Sequence, residues 1–264
     1  MSLFGDDDII YDDDEVGGDD WFPGDCGGAV VQEGLSDPRH STFCIGHESQ
    51  EKLFLELHEK KVMPHALIFS GLEGIGKTTM VFRLARFLLK HGKDDAADAG
   101  LFGGDALPQE ITSLDVSADD PVFARVASGG HADLLHIARH YDDAKGKLDK
   151  ALKVEALRKI EPFLRKTSSE GGWRIVLIED ADTMNRSAQN AILKILEEPP
   201  ANVLIVLVAH RPGMLIPTIR SRARVIPFEP LSAENMQNLL KRQGVSLSMG
   251  DMDAVADISE GSIG

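Results

Sequence analysis

The stretch that most restricts what this chain can fold into runs from His65 to Lys90, HALIFSGLEGIGKTTMVFRLARFLLK. Ala66 to Ser70 is a short, mostly apolar run of the kind that forms a buried strand. Gly71-Leu72-Glu73-Gly74-Ile75-Gly76-Lys77-Thr78 then fits G-x-x-x-x-G-K-S/T, the phosphate-binding loop. Met80, Val81, Leu84, Ala85, Leu88 and Leu89 follow at the spacing of an amphipathic helix. The chemistry needs that order. Glycines let the backbone wrap so that successive N–H groups point at a phosphate, and the helix N-terminus adds its partial positive charge. Lys77 is placed to reach the β- and γ-phosphates and the Thr78 hydroxyl to hold a Mg²⁺. Gly71, Gly74, Ile75, Gly76 and Thr79 complete the candidate nucleotide-binding set. The plain alternative, a glycine-rich turn kept as scaffold, is disfavoured by the strand before and the helix after.

Composition bounds the rest. The chain has 264 residues, 42% of them hydrophobic, enough for a sizeable core in one or two domains. Its net charge of −15 is unevenly spread: residues 1–40 hold twelve acidic residues against Arg39 alone, so the remainder is near neutral. No basic stripe or base-reading motif advertises direct DNA recognition. Two cysteines, Cys26 and Cys44, are too few for a disulfide framework or a four-thiolate zinc site, and no zinc is expected. The longest clean apolar run, Val203 to Ala209, is far short of a membrane span, and the N-terminus is acidic where a signal peptide would be basic. These features predict a cytoplasmic protein with no membrane contact.

Residues 1–37, rich in Asp and Gly, predict a disordered acidic tail, with Trp21 and Phe22 a minor candidate for partner docking. A helix is expected over Glu48 to Lys61, and His47 and His65 beside it are read as packing or surface residues. Gly92 to Gly130 shows no sustained period and predicts an excursion with short helices or partial disorder. Further strands are expected at His131 to Ile137, Trp173 to Ile178, Val203 to Ala209 and Arg224 to Phe228. Helices are expected at Ala151 to Arg165, Arg186 to Glu198, a turn at Ile216 to Ser221, and Ser232 to Arg242 with Ser232 as cap. Strands alternating with helices mean α/β, a five-stranded parallel sheet covered on both faces. The chain stops inside helical structure, as a piece of a longer protein would.

Several stretches fall in an order that resembles one family. They are PRHSTFCIGH at 38–47, the phosphate loop with FRLARFLL behind it, HADLL at 131–135, GGWRIVLIEDADTMNRSAQNAILKILEEPP at 171–200, and TIRSR at 218–222. Together they resemble the delta-prime family of bacterial DNA polymerase III clamp-loader subunits, built on the AAA+ P-loop fold. The resemblance covers about 38–264. It implies an AAA+ nucleotide-binding core at 38–228, a small helical lid from 229 to 264, and a C-terminal collar that is missing here. It also implies gamma/tau and delta subunits as partners, with the sliding clamp and primed DNA reached through the assembled complex. The chain would then be a subunit of a nucleotidyltransferase holoenzyme, helping to load the clamp during replication.

Departures from the family pattern bear on catalysis. An active ATPase of this class ends its third strand in Asp-Glu, whereas this chain has Glu179-Asp180. Glu179 could still bind Mg²⁺ with Thr78, but Asp180 would fall one methylene, roughly 1.5 Å, short of an attacking water. Such misplacement can cost on the order of 10²-fold in rate. The expectation is ATP or ADP binding with Mg²⁺ and weak or absent hydrolysis. Arg222 matches the family's finger arginine, which reaches a neighbour's γ-phosphate, although Ala223 replaces the usual cysteine. The rival readings are an active gamma/tau-type ATPase motor and a stand-alone nucleotide switch.

Overall fold

The computed structural model describes residues 37–92, 111–142, 146–244, 259, 261 and 262. The acidic tail through residue 36, including Trp21, Phe22 and Cys26, lies outside these residues. Three apolar runs form the centre of the molecule: β1 (Ala66–Ser70), β5 (Arg174–Ile178) and β6 (Val203–Ala209), buried at every position. Strands buried on both faces read as continuous hydrophobic runs, which is why Ala66–Ser70 and Val203–Ala209 have the limits their sequences predict. The edges are β2 (Leu134–Ile137) and β7 (Arg224–Pro227), giving the five-stranded parallel order β2-β5-β6-β1-β7. A two-residue-per-strand hairpin, β3 (Tyr141–Asp142) and β4 (Lys147–Leu148), stands beside this sheet.

Strand periodicity divides the core in two. Leu67, Phe69, Ile175, Leu177, Leu204 and Val206 point to one face, where α1 (Glu48–Glu59), α2 (Lys77–His91) and α3 (Pro121–Ala127) pack. Ile68, Val176, Ile178, Ile205 and Leu207 point to the other, covered by α4 (Val154–Arg158), α5 (Ile160–Arg165), α6 (Arg186–Glu197) and α7 (Pro217–Arg220). After β7 the chain forms α8 (Ala233–Arg242), whose cap is Ser232, its hydroxyl accepting from Asn235 N–H.

Two expectations are corrected and one is met. The helix expected as one piece over Ala151 to Arg165 is two, α4 and α5, because Pro162 has no N–H to give Arg158 and its ring crowds that carbonyl. The excursion after α2 carries a short helix, as expected: α3 is started by Asp120, which accepts from Val122 N–H, with Pro121 in the first turn. The second strand begins at Leu134 rather than His131.

The residues that precede β2 explain the HADLL motif. Asp133 is 1% exposed. It accepts from Ser169 N–H at 3.0 Å, the Ser169 hydroxyl at 2.6 Å and the Ser168 hydroxyl at 3.1 Å, with Arg174 Nε 3.6 Å away. Arg174 in turn lies over the Phe163 ring at 4.1 Å. This carboxylate fastens the loop ahead of β5 to the start of β2.

Candidate functional site

The segment between β1 and α2 lies at the carboxyl edge of the sheet, where open α/β sheets bind ligands. Two glycines allow its path. Gly71 (φ 153°) passes so close to Phe228 that a Cβ would fall 2.4 Å from the Phe228 carbonyl oxygen. Gly76 (φ 95°) turns the chain into α2 and gives that helix no side-chain cap. The first N–H groups of α2, those of Lys77, Thr78 and Thr79, therefore face the cleft without helix partners. His47, read from sequence as a packing or surface residue, is buried and also hydrogen-bonded: its Nε2 donates to the Ile75 carbonyl at 2.6 Å, and its ring meets Phe228 edge-on at 4.8 Å.

Lys77 is 3% exposed. Its ammonium donates to the Gly71 carbonyl at 2.9 Å and to the Leu72 carbonyl, and sits 3.2 Å from His210 Nδ1. Burial pulls Lys77 down to about 8, against the opposing pull of Glu73, Asp182 and Asp180. His210 Nε2 lies 2.9 Å from Asp180 Oδ1, and Arg139 Nε donates to Asp180 Oδ2 at 2.7 Å. Burial opposes ionisation at Asp180, yet the hydrogen bonds from His210 and Arg139 prevail and hold its carboxyl below the usual carboxylate range. A carboxylate only accepts, so His210 carries its hydrogen on Nε2 and offers Nδ1 to Lys77. Arg139, Asp180, His210 and Lys77 thus form an unbroken row across the ends of β2, β5, β6 and β1. Asp180 takes part at φ 49°, an uncommon backbone conformation for a residue other than glycine.

Glu179 stands apart from that row, its Oε2 3.4 Å from His136 Nε2. Asp182, 5% exposed, accepts from the backbone N–H groups of His210 and Arg211 at 3.0 and 3.2 Å and so fixes the end of β6. A cavity of about 590 Å³ opens over these groups. The loop from Glu73 to Thr79, Glu179, Asp180, His210 and Arg139 line one part; Pro38, Phe43, Ile45, Leu231 and Leu239 line another. Cys44 also lines it, with Sγ 3.7 Å from the Gly76 carbonyl oxygen; burial pushes this thiol up to about 12, which disfavours the thiolate. Arg222 is elsewhere. It follows α7, donates to the Thr218 carbonyl at 3.0 Å, and pairs with Glu197 at 2.9 Å.

The structure therefore gathers the predicted loop residues, Glu179 and Asp180 into one cleft and leaves Arg222 outside it. Sequence reading missed His210 and Arg139. The available signal was position: each lies one or two residues beyond a strand's carboxyl end.

A five-stranded parallel sheet in this order, with its phosphate loop after β1 and an acidic pair after β5, is an AAA+ P-loop core. Residues 109–232 match the family described as DNA polymerase III, delta subunit. The DNA polymerase III subunit delta′ of Bacillus subtilis is 32% identical over 200 residues, 75% of this chain and 52% of that protein. Over about three quarters of its length the chain is thus similar to delta′ clamp-loader subunits. The delta′ subunit of Pseudomonas aeruginosa is 28% identical over 215 residues, 75% of this chain and 58% of that protein. The chain thus spans a little over half the length of these curated relatives. A solved DNA polymerase III gamma subunit-related protein from Thermotoga maritima covers 81% of this chain and 54% of its own, at 20% identity and a TM-score of 0.44. Among the described residues no helix is long and apolar enough to cross a membrane.

Proposed function

We propose that this chain is the stator of a cytoplasmic clamp loader: it holds a nucleotide, hydrolyses little of it, and lends Arg222 to a neighbouring motor subunit. Residues 38–228 would be the nucleotide-binding core and 229–264 the start of the lid. Gamma/tau and delta subunits are the partners, and the sliding clamp and primed DNA are reached through the complex. The observation that carries this reading is the contrast between two side chains. Asp180, the residue that would have to polarise an attacking water, has both oxygens engaged by Arg139 and His210. Arg222, by contrast, is on the surface and away from its own cleft.

The cleft fits ATP or ADP. Its uncapped helix N-terminus and Lys77 suit phosphates, and its 590 Å³ is of the size that holds a small-molecule ligand. Thr78 and Glu179 are the residues that would hold Mg²⁺, which neutralises phosphate charge when bound. Lys77 must exchange the Gly71 and Leu72 carbonyls for phosphate oxygens. An intact loop also favours a second reading, an active gamma/tau-type motor, which the Asp180 contacts oppose.

Two measurements test nucleotide binding. Calorimetry is expected to show Mg-ATP binding that Lys77→Ala abolishes in a folded sample; absence of heat at millimolar ATP in the unmodified protein would reduce the loop to scaffold. The second follows from Lys77 lying at about 8 in the free protein. Bound phosphate favours the ammonium, so binding takes up a proton as pH passes 8, and affinity should fall about tenfold from pH 7 to pH 9. A flat profile over that range would contradict this coupling.

A further inference from the structure

The FRLARFLL run contains two arginines, Arg83 and Arg86, both buried on α2. Arg83 has ionic partners, Glu51 at 2.9 Å and Asp115 at 2.5 Å. Arg86 keeps different company. It is 2% exposed, donates to the main-chain carbonyls of Arg39 at 2.9 Å and Ser41 at 2.5 Å, and lies over the Phe123 ring at 4.5 Å. A buried guanidinium is costly to keep, and one that bonds carbonyls fixes a backbone path whatever side chains that path carries.

The path it fixes leads directly to the cleft. Ser41 itself lines the cavity, and the wall continues through Phe43, Cys44 and Ile45. Cys44 touches the phosphate loop at Gly76. The wall is also gripped from the far side. Arg242 of α8 lies over Phe43 at 4.9 Å, and Gly46 packs so tightly that a Cβ would fall 2.7 Å from Leu231 Cδ2. The phosphate loop and Lys77 line the cavity, and so do the apolar side chains Phe43, Ile45, Leu231 and Leu239, with Asp37, Ser41 and Gln243 among them. Phosphates suit the loop and a flat base suits the apolar side chains. Arg86 itself does not line the cavity.

We infer that Arg86 is a positioning residue for nucleoside recognition: it holds the main chain at 39–41 so that Phe43 and Ile45 form the wall on which the base rests. This rests on the nucleotide-binding reading above. It predicts that losing Arg86 separates the two ends of the ligand. The base loses its wall, while the phosphates keep their loop.

The test compares ATP with inorganic tripolyphosphate, which has the phosphates and no base. Both are titrated by calorimetry into the full 264-residue chain and its Arg86→Leu and Arg86→Lys forms. Arg86→Leu is expected to weaken ATP at least tenfold and tripolyphosphate by less than twofold. Arg86→Lys, which can reach one carbonyl but not both, should fall between. Hydrogen exchange on the free proteins should show faster amide exchange at 41–46 in Arg86→Leu, with β5 and β6 unchanged. Equal weakening of both ligands, or unaltered ATP affinity, would overturn the inference. So would unaltered exchange at 41–46, which reads the clamp without any ligand. If the unmodified chain binds neither ligand, the nucleotide reading falls, and the role of Arg86 in base recognition falls with it.

Discussion

Arg222→Ala is expected to slow ATP turnover by a loader reassembled from full-length subunits, while leaving this chain's own nucleotide affinity unchanged. Arg222 makes no contribution to its own cavity wall. Its side chain is 35% exposed, and its pair with Glu197 is a surface ion pair worth at most about 1 kcal/mol. It can leave that tether for a better-buried anion at little cost. An arginine finger supplied from outside is worth 10³–10⁵ in rate at the site it serves. The adjacent site should therefore fall by about 10³, and steady-state turnover should drop to what the other motor sites sustain. Asp180→Ala is the control. It should barely change turnover, because Asp180 is already committed to Arg139 and His210. Steady-state ATPase of three loaders, unmodified, Arg222→Ala and Asp180→Ala, decides the matter. A silent Arg222→Ala beside a damaging Asp180→Ala would make this chain a motor.

The largest expected effect on stability is at Asp133. Asp133→Ala removes an acceptor shared by Ser168, Ser169 and Arg174 and leaves the 5%-exposed Arg174 without its carboxylate. Breaking a buried pair from one side costs about 3–5 kcal/mol. For a domain of this size that is a fall of about 10 °C in Tm. Burial opposes ionisation of Asp133, but the Ser169 and Ser168 hydrogen bonds and Arg174 outweigh it and hold its carboxyl below the usual range. A carboxyl depressed in the folded state contributes stability above its unfolded value, and that contribution disappears as pH falls through the folded value. The unmodified protein should thus lose this contribution below about pH 4, whereas Asp133→Asn should start lower at neutral pH and lose less on acidification. Thermal melts from pH 7 to pH 3 check both. Equal Tm for Asp133→Ala and the unmodified chain would remove the anchor.

The sheet was the most legible part of this chain because burial on both faces writes a continuous apolar run. Ala66–Ser70 and Val203–Ala209 could be bounded to the residue. Ser232 was legible as a cap because its neighbours are periodic. Short elements were harder. The Asp120-Pro121 start of α3 was present in sequence but sat within an aperiodic stretch, and Pro162 was overlooked inside a helix whose spacing looked sound. The phosphate loop could be read because its residues are consecutive. His210 and Arg139 carried only a positional signal, just past two strand ends; it is the order of the strands that brings them beside Lys77 and Asp180.

That order has a consequence for how energies in this cleft can be apportioned. Arg139, Asp180 and His210 each follow a different strand end and Lys77 begins α2, and each polarises the next across 2.7, 2.9 and 3.2 Å. Deleting any member changes the charge and hydrogen-bond demand felt by the others. Single substitutions along the row therefore do not sum, and no member has a free energy of its own. The rim of the sheet behaves as one polyatomic group, extending from the phosphate loop to the hairpin edge.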